Sequence, residues 1–145
     1  MPQNKYNELV HVINARRGTY SNVIKQIRED GVCPFCPQYL SAYHKKPILK
    51  RGKYWLVTKN MYPYENTRVH FLLIHKKHID SLIKISRGAW NELREQYLWL
   101  LKKYKIPGGT ALLRFGDSRY TGSSVTHLHA QLAVTKLGKM TVTRI

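Results

Sequence analysis

Cysteine is scarce in this chain: only two occur in 145 residues, both within Cys33-Pro34-Phe35-Cys36. That excludes a disulfide scaffold. None is needed, since a domain of this length buries roughly 70% of the surface its unfolded chain exposes. Long apolar runs are missing as well, and nothing approaches the ~20 residues of a membrane span. Met1 to Val10 is polar and lacks the apolar stretch of a signal peptide, so the expected compartment is the cytoplasm. There is no internal repeat and no low-complexity segment, which sets aside solenoids and disordered tracts. Acidic residues are few: 8 Asp and Glu stand against 25 Lys and Arg, a formal charge of +17. Such a field attracts polyanions such as nucleotides, nucleic acid or phosphorylated sugars. A plain solubility feature reads the same way, because charge speaks to association and not to fold.

What remains is ordinary for one globular domain, with 43% hydrophobic and 23% charged residues. Residues 1–19 read as a mixed leader, weakly helical over 8–15. Val23, Ile24 and Ile27 sit at helical spacing between Tyr20 and Glu29, with Ser21 as candidate cap and Asp30-Gly31 as stop. The Cys-Pro-Phe-Cys-Pro stretch reads as a loop. Residues 47–58 alternate around a turn at Arg51-Gly52-Lys53, and Arg68 to His75 reads as a buried strand. The clearest helix spans Arg87 to Tyr104, with Trp90, Leu93, Tyr97, Leu100 and Leu101 on one stripe. Strands are expected at 110–115, 125–134 and 139–145. The expected class is α+β: a mostly antiparallel sheet of about five strands, one main helix and a short N-terminal helix.

Chemistry concentrates in Val125-Thr126-His127-Leu128-His129-Ala130-Gln131-Leu132. On a strand, His127, His129 and Gln131 share one face, while Leu128, Ala130 and Leu132 share the other. Three polar groups on one face are costly to bury without partners, so a purely structural role explains them poorly. The preceding loop, Asp117 to Ser124, offers mobile backbone, adjacent hydroxyls and Arg119, and suits an anion. Cys33 and Cys36 supply two soft ligands at a spacing that a tetrahedral zinc accepts. The set must finish with a carboxylate or with one of His11, His44, His70, His75, His78, His127 and His129. A redox pair is the competing reading, but Pro34 and Pro37 suit a metal knuckle better.

Together these residues resemble the histidine triad superfamily. Its His-x-His-x-His signature stands here as His127-Leu128-His129-Ala130-Gln131, followed by Leu132-Ala133. Gly122-Ser123-Ser124-Val125-Thr126 is similar to the family's phosphate-binding segment, with Ser123 in place of glutamine. Asn60-Met61-Tyr62-Pro63, His70-Phe71-Leu72-Leu73-Ile74 and Lys76-Lys77-His78-Ile79 follow its ribose-loop and strand pattern. The resemblance covers about residues 31–134, and Gln131 resembles the galactose-1-phosphate uridylyltransferase and diadenosine tetraphosphate phosphorylase branches.

The resemblance implies a nucleotidyl transferase or hydrolase acting on the α-phosphate of a nucleotide or nucleotide sugar, through a covalent intermediate on His129. Gln131 is the second catalytic residue, and Asn60, Gly122, Ser123 and Ser124 bind the nucleotide. One structural Zn2+ per chain is held by Cys33, Cys36, His78 and His127. Residues 1–30 form an N-terminal extension with a short helix, and residues 31–145 the catalytic domain. A homodimer is implied and no membrane partner. Two alternatives are an enzyme that removes adenylate from nucleic-acid ends and a non-catalytic, zinc-stabilised nucleic-acid-binding module. Asn60 reads equally as a turn asparagine. Trp55 and Phe71 read as core ahead of base pocket, His70 as structural ahead of a place near the base, Arg114, Asp117 and Arg119 as near the phosphates with Arg119 as a weak contact, and His75 receives no role.

Overall fold

A computed structural model describes Val10, residues 19–143 and Ile145 of the chain. The order of elements is α1 (Thr19–Asp30), α2 (Pro37–Tyr43), β1 (Ile48–Arg51), β2 (Trp55–Lys59), β3 (Thr67–His75), α3 (Arg87–Lys103), β4 (Thr110–Arg114) and β5 (His129–Thr135). Single 3₁₀ turns at Leu82–Lys84 and Ser118–Tyr120 join them. The strands form one antiparallel sheet in the order β1-β2-β3-β5-β4. The α+β class and the five-stranded sheet are as the sequence reading expects. Residues 8–15, expected to be weakly helical, lie outside the described residues, as does most of the leader.

Alternation sorts the sheet into two faces. Trp55, Val57, Phe71, Leu73, Ala130 and Leu132 pack against Ala89, Leu93 and Leu100 of α3 in the main core. Trp55 and Phe71 are thus core residues. The other face carries Leu56, Leu72 and Ile74 against Leu40 of α2. α1 closes a third cluster, where Ile24 and Ile27 meet Val125 and Val10.

Four expectations are corrected. The stripe of α3 is rotated: Ala89, Leu93, Gln96 and Leu100 are buried, whereas Trp90 is 41% exposed. Ala89 has no bulk, so the helix approaches β2 closely enough for Trp55 Nε1 to donate to the Ala89 carbonyl (2.8 Å). Helix α1 begins at Thr19, which puts Ser21 inside it. The Cys33–Pro37 loop ends one residue early, because Pro37 already opens helix α2, at a first-turn position where no N–H is needed. Finally, no described residue of 139–145 is in a strand. That segment folds back, with Asn66 Nδ2 donating to the Met140 carbonyl and Thr141 Oγ1 to the Glu65 carbonyl.

Candidate functional site

Strand β5 starts at His129, four residues later than the pattern suggested; residues 126–128 are irregular and Val125 forms an isolated bridge to Val10. His129 and Gln131 nevertheless face the side opposite α3, where they line a cavity of about 350 Å³. Arg114 lines it from β4, directly paired with His129, and Leu72 from β3. The turn after α1 and helix α2 contribute Phe35 and Tyr43, the loop after β2 contributes Asn60 and Tyr62, and the loop before β5 contributes Gly122 to Val125. Tyr20, Val23, Ile24 and Ile27 of α1 form an apolar wall, and Val142 and Thr143 close it from the C-terminal segment. The volume suits a nucleotide-sized ligand.

The imidazole of His129 is held in one tautomer. Its Nδ1–H donates to the His127 carbonyl (2.8 Å), which leaves the lone pair on Nε2. Burial pushes the ring down to about 4, and the nearby Arg114 charge acts in the same direction. The ring is therefore neutral at neutral pH, as a nucleophile requires. Phe35 supports it edge-on at 5.1 Å.

Gln131 is oriented by a residue that the sequence reading took as structural. The backbone N–H of Tyr64 donates to His70 Nδ1 (3.2 Å), so the proton of His70 resides on Nε2. That Nε2–H donates to Gln131 Oε1 (2.7 Å). With its oxygen engaged, the amide of Gln131 has its NH₂ group left to donate into the cavity. Asn60 fixes the turn, its Oδ1 accepting from the Tyr62 N–H (2.8 Å), and the residue lines the cavity.

The phosphate-loop candidates are all at the cavity. Gly122 has φ +65°, a conformation that glycine adopts without strain. Ser123 Oγ donates to the Val125 carbonyl (2.7 Å), shaping the loop. Ser124 Oγ hydrogen-bonds the Tyr20 hydroxyl of α1. Arg119 is corrected: its Nε donates to both carboxylate oxygens of Asp117 (3.0 and 2.9 Å) and the residue is not part of the cavity wall. The arginine at the cavity is Arg114, which donates to the Gly122 carbonyl (3.2 Å), the Tyr64 hydroxyl (3.4 Å) and Thr143 Oγ1 (3.1 Å).

Behind His129, Cys33, Cys36, His78 and His127 converge, with their ligand atoms within 4.8 Å of one another. Backbone hydrogen bonds from His75 N to the Leu128 carbonyl (3.2 Å) and from Leu128 N to the Ile79 carbonyl (2.8 Å) bring the two histidine segments together. The test of fit is the set of edges. Tetrahedral zinc with Zn–S of about 2.3 Å and Zn–N of about 2.0–2.1 Å has ligand–ligand edges of about 3.3–3.8 Å. The distances here are 3.4 Å from Cys33 Sγ to His127 Nδ1, 3.4 Å from Cys36 Sγ to His78 Nδ1, 3.7 Å from Cys36 Sγ to His127 Nδ1 and 3.2 Å between the two Nδ1 atoms. His127 Nε2 donates to the His75 carbonyl, which points the Nδ1 lone pair at the cluster. Burial keeps His127 down to about 4, so this nitrogen is free of a proton. Burial and the adjacent Cys33 push the Cys36 thiol up to about 12, a preference that coordination of a divalent cation reverses. The four residues are positioned to hold a metal. His75, given no role from sequence, supplies a backbone carbonyl to the cluster and packs its ring edge-on against Trp55 at 5.0 Å.

No family model and no curated protein matches the sequence. Solved structures do match. A zinc-bound histidine triad family protein from Mycobacterium smegmatis aligns with a TM-score of 0.57 at 14% identity, covering 74% of this chain and 78% of its own. A HIT family hydrolase from Clostridium thermocellum gives 0.55 at 18% identity over 71% and 90%. A hypothetical histidine triad nucleotide-binding protein from Sulfolobus tokodaii gives 0.56 at 19% identity over 76% and 72%. Among the described residues, no helix is long and apolar enough to cross a membrane. The chain has the histidine triad fold.

Proposed function

We propose that this protein is a histidine triad enzyme that transfers or hydrolyses a nucleotidyl group through His129. The observation that carries the reading is the buried, neutral imidazole of His129, its Nδ1–H tied to the His127 carbonyl, opening on a nucleotide-sized cavity. Nε2 attacks the α-phosphorus, a P–N bond forms, and the leaving group departs with the electrons of its P–O bond. An acceptor oxygen then attacks the same phosphorus, the P–N bond breaks, and neutral His129 is regenerated.

Gln131 donates from its amide NH₂ to a phosphate oxygen, and Arg114 adds a cation beside it. Ser123, Ser124 and Gly122 wrap the phosphates, and Asn60 meets the ribose hydroxyls. A glutamine cannot act as acid or base near neutral pH. Water therefore gains no activation from it, and an acceptor such as a phosphate or sugar phosphate turns the intermediate over faster. Zn2+, one per chain and structural, bound by Cys33, Cys36, His78 and His127, ties the segment before β5 to the α1–α2 turn; bound there it supplies rigidity rather than a reacting group.

Residues 31–145 are the catalytic domain in this reading, and residues 1–30 an extension that contributes one wall. Homodimer formation belongs to the same reading. It is supported by β4, an edge strand with no partner on its outer side among the described residues, and by exposed Trp90 and Leu98 on α3. Light scattering giving twice the chain mass is the expected result, and a monomer at micromolar concentration contradicts it.

The test of function is a panel of nucleoside polyphosphates and nucleotide sugars, assayed with and without phosphate and sugar-phosphate acceptors. Turnover with at least one substrate, accelerated by an acceptor and abolished in His129→Ala, is expected. Equal rates with and without acceptors contradict the transferase reading; no turnover and no nucleotide binding contradict the reading as a whole.

A further inference from the structure

A second feature lies on the face of the sheet opposite the cavity. Trp99 of α3 is half-buried and carries two ammonium groups over its ring, Lys50 of β1 at 4.9 Å and Lys103 at 4.8 Å from the centroid. Lys103 also reaches the ring of Tyr104 (5.9 Å), over which Lys59 sits at 5.7 Å. Arg68 joins the group by donating from Nη2 to the Tyr104 carbonyl (2.8 Å). Four cations from β1, β2, β3 and α3 therefore surround two aromatic rings.

Among the described residues, none of the four is paired with a carboxylate. The sequence accounts for this: no acidic residue occurs between Asp30 and Glu65 or between Glu95 and Asp117, the stretches that supply most of the patch. Elsewhere acids are paired, as Asp80 is with Lys84 and Asp117 with Arg119. Each ammonium–ring contact at an exposed site is worth about 0.5–1 kcal/mol. The mutual repulsion of like charges gathered at two rings offsets part of that gain, and a polyanion relieves the repulsion. Rings among cations add a requirement that phosphates alone do not satisfy, a flat unpaired base to stack on.

The geometry points to a single-stranded nucleic-acid-binding surface built from Lys50, Lys59, Arg68, Lys103, Trp99 and Tyr104, separate from the cavity. The backbone phosphates meet the four cations, and a base displaces a lysine from the ring of Trp99 or Tyr104. A duplex, whose bases are already stacked, uses the charge but not the rings. This surface does not depend on His129 chemistry.

The test is fluorescence anisotropy of a labelled 20-nucleotide oligothymidylate with the full chain over a range of NaCl concentrations. Lys50→Gln/Lys103→Gln is compared with Lys25→Gln/Lys139→Gln, which removes the same charge away from the rings. The ring-side variant is expected to weaken binding about tenfold or more and to lower the slope of log affinity against log salt by about 1.4, from two lost phosphate contacts. The control pair is expected to change either little. Circular dichroism melting checks that both variants fold, and an unchanged His129 adduct separates this surface from the catalytic reading. Equal losses in the two variants, no oligonucleotide binding, tighter binding to duplex of the same length, or preference for anionic phosphatidylserine vesicles would each overturn the proposal.

Discussion

At the scale of single residues, the site turns on which atom each polar group has left to offer. His129 uses Nδ1 on a carbonyl and keeps Nε2; Gln131 uses Oε1 on His70 and keeps its NH₂. Replacing Gln131 by Ala removes one donor to the phosphate and is expected to lower kcat by about 10²–10³ with a smaller effect on KM, measured by steady-state kinetics. Gln131→His restores a titratable group at that position. Single-turnover partitioning is expected to shift from acceptor toward water in that variant, and an unchanged partition ratio contradicts the assigned role. The shared face of His129 and Gln131 was readable from strand periodicity, whereas His127 precedes the strand and turns to the cysteines. The bond of His70 to Gln131 and the pairing of Arg114 with His129 were not readable from it. His70 lies 61 residues from Gln131, and only the β3–β5 and β4–β5 registers bring either residue to the site. Arg114 and Arg119 both read as near the phosphates in sequence, but Arg119, in the more suggestive loop, is engaged by Asp117.

At the scale of elements, packing decided what periodicity left open. Helix α3 was legible in extent, but its buried stripe depended on a close approach through Ala89 that exposes Trp90. Helix α2 was obscured by two prolines and two cysteines, although Pro37 is well suited to open a helix. The C-terminal segment has strand-like composition, but none of its described residues pairs with a strand, and it crosses to the cavity instead, where Arg114 donates to Thr143 Oγ1. The β1–β2 turn depends on α3 in a way no local pattern reveals. The Glu92 carboxylate accepts from the backbone N–H groups of Lys53, Tyr54 and Trp55, each at 2.7 Å. Glu92→Ala leaves these donors without that partner and is expected to cost about 2–4 kcal/mol in urea unfolding. Because the carboxylate lies on the α3 side of the sheet, opposite the cavity, kcat per folded molecule is expected to hold. A loss below about 0.5 kcal/mol contradicts the bracing role.

At the scale of the molecule, the four metal-ligand candidates join three distant parts of the chain: the α1–α2 turn, the segment after β3 and the entry to β5. The Cys33–Cys36 spacing was visible in sequence, whereas the choice of His78 and His127 among seven histidines came from resemblance and needed the fold to bring the four together. Elemental analysis is expected to give one zinc per chain, and Cys33→Ser to lose it together with at least about 4 kcal/mol of stability. A metal-free protein of unchanged stability contradicts a structural ion. His127, one of the four candidates, also carries the carbonyl that accepts from His129 Nδ1–H, so the candidate metal site and His129 are built on the same segment. The direct test of the central claim is intact-protein mass spectrometry after rapid mixing with a nucleotide substrate. The account predicts an added nucleoside monophosphate, acid-labile as a phosphoramidate, mapped to His129 and missing from His129→Ala. Turnover without such an adduct, or an adduct that persists in His129→Ala, contradicts it.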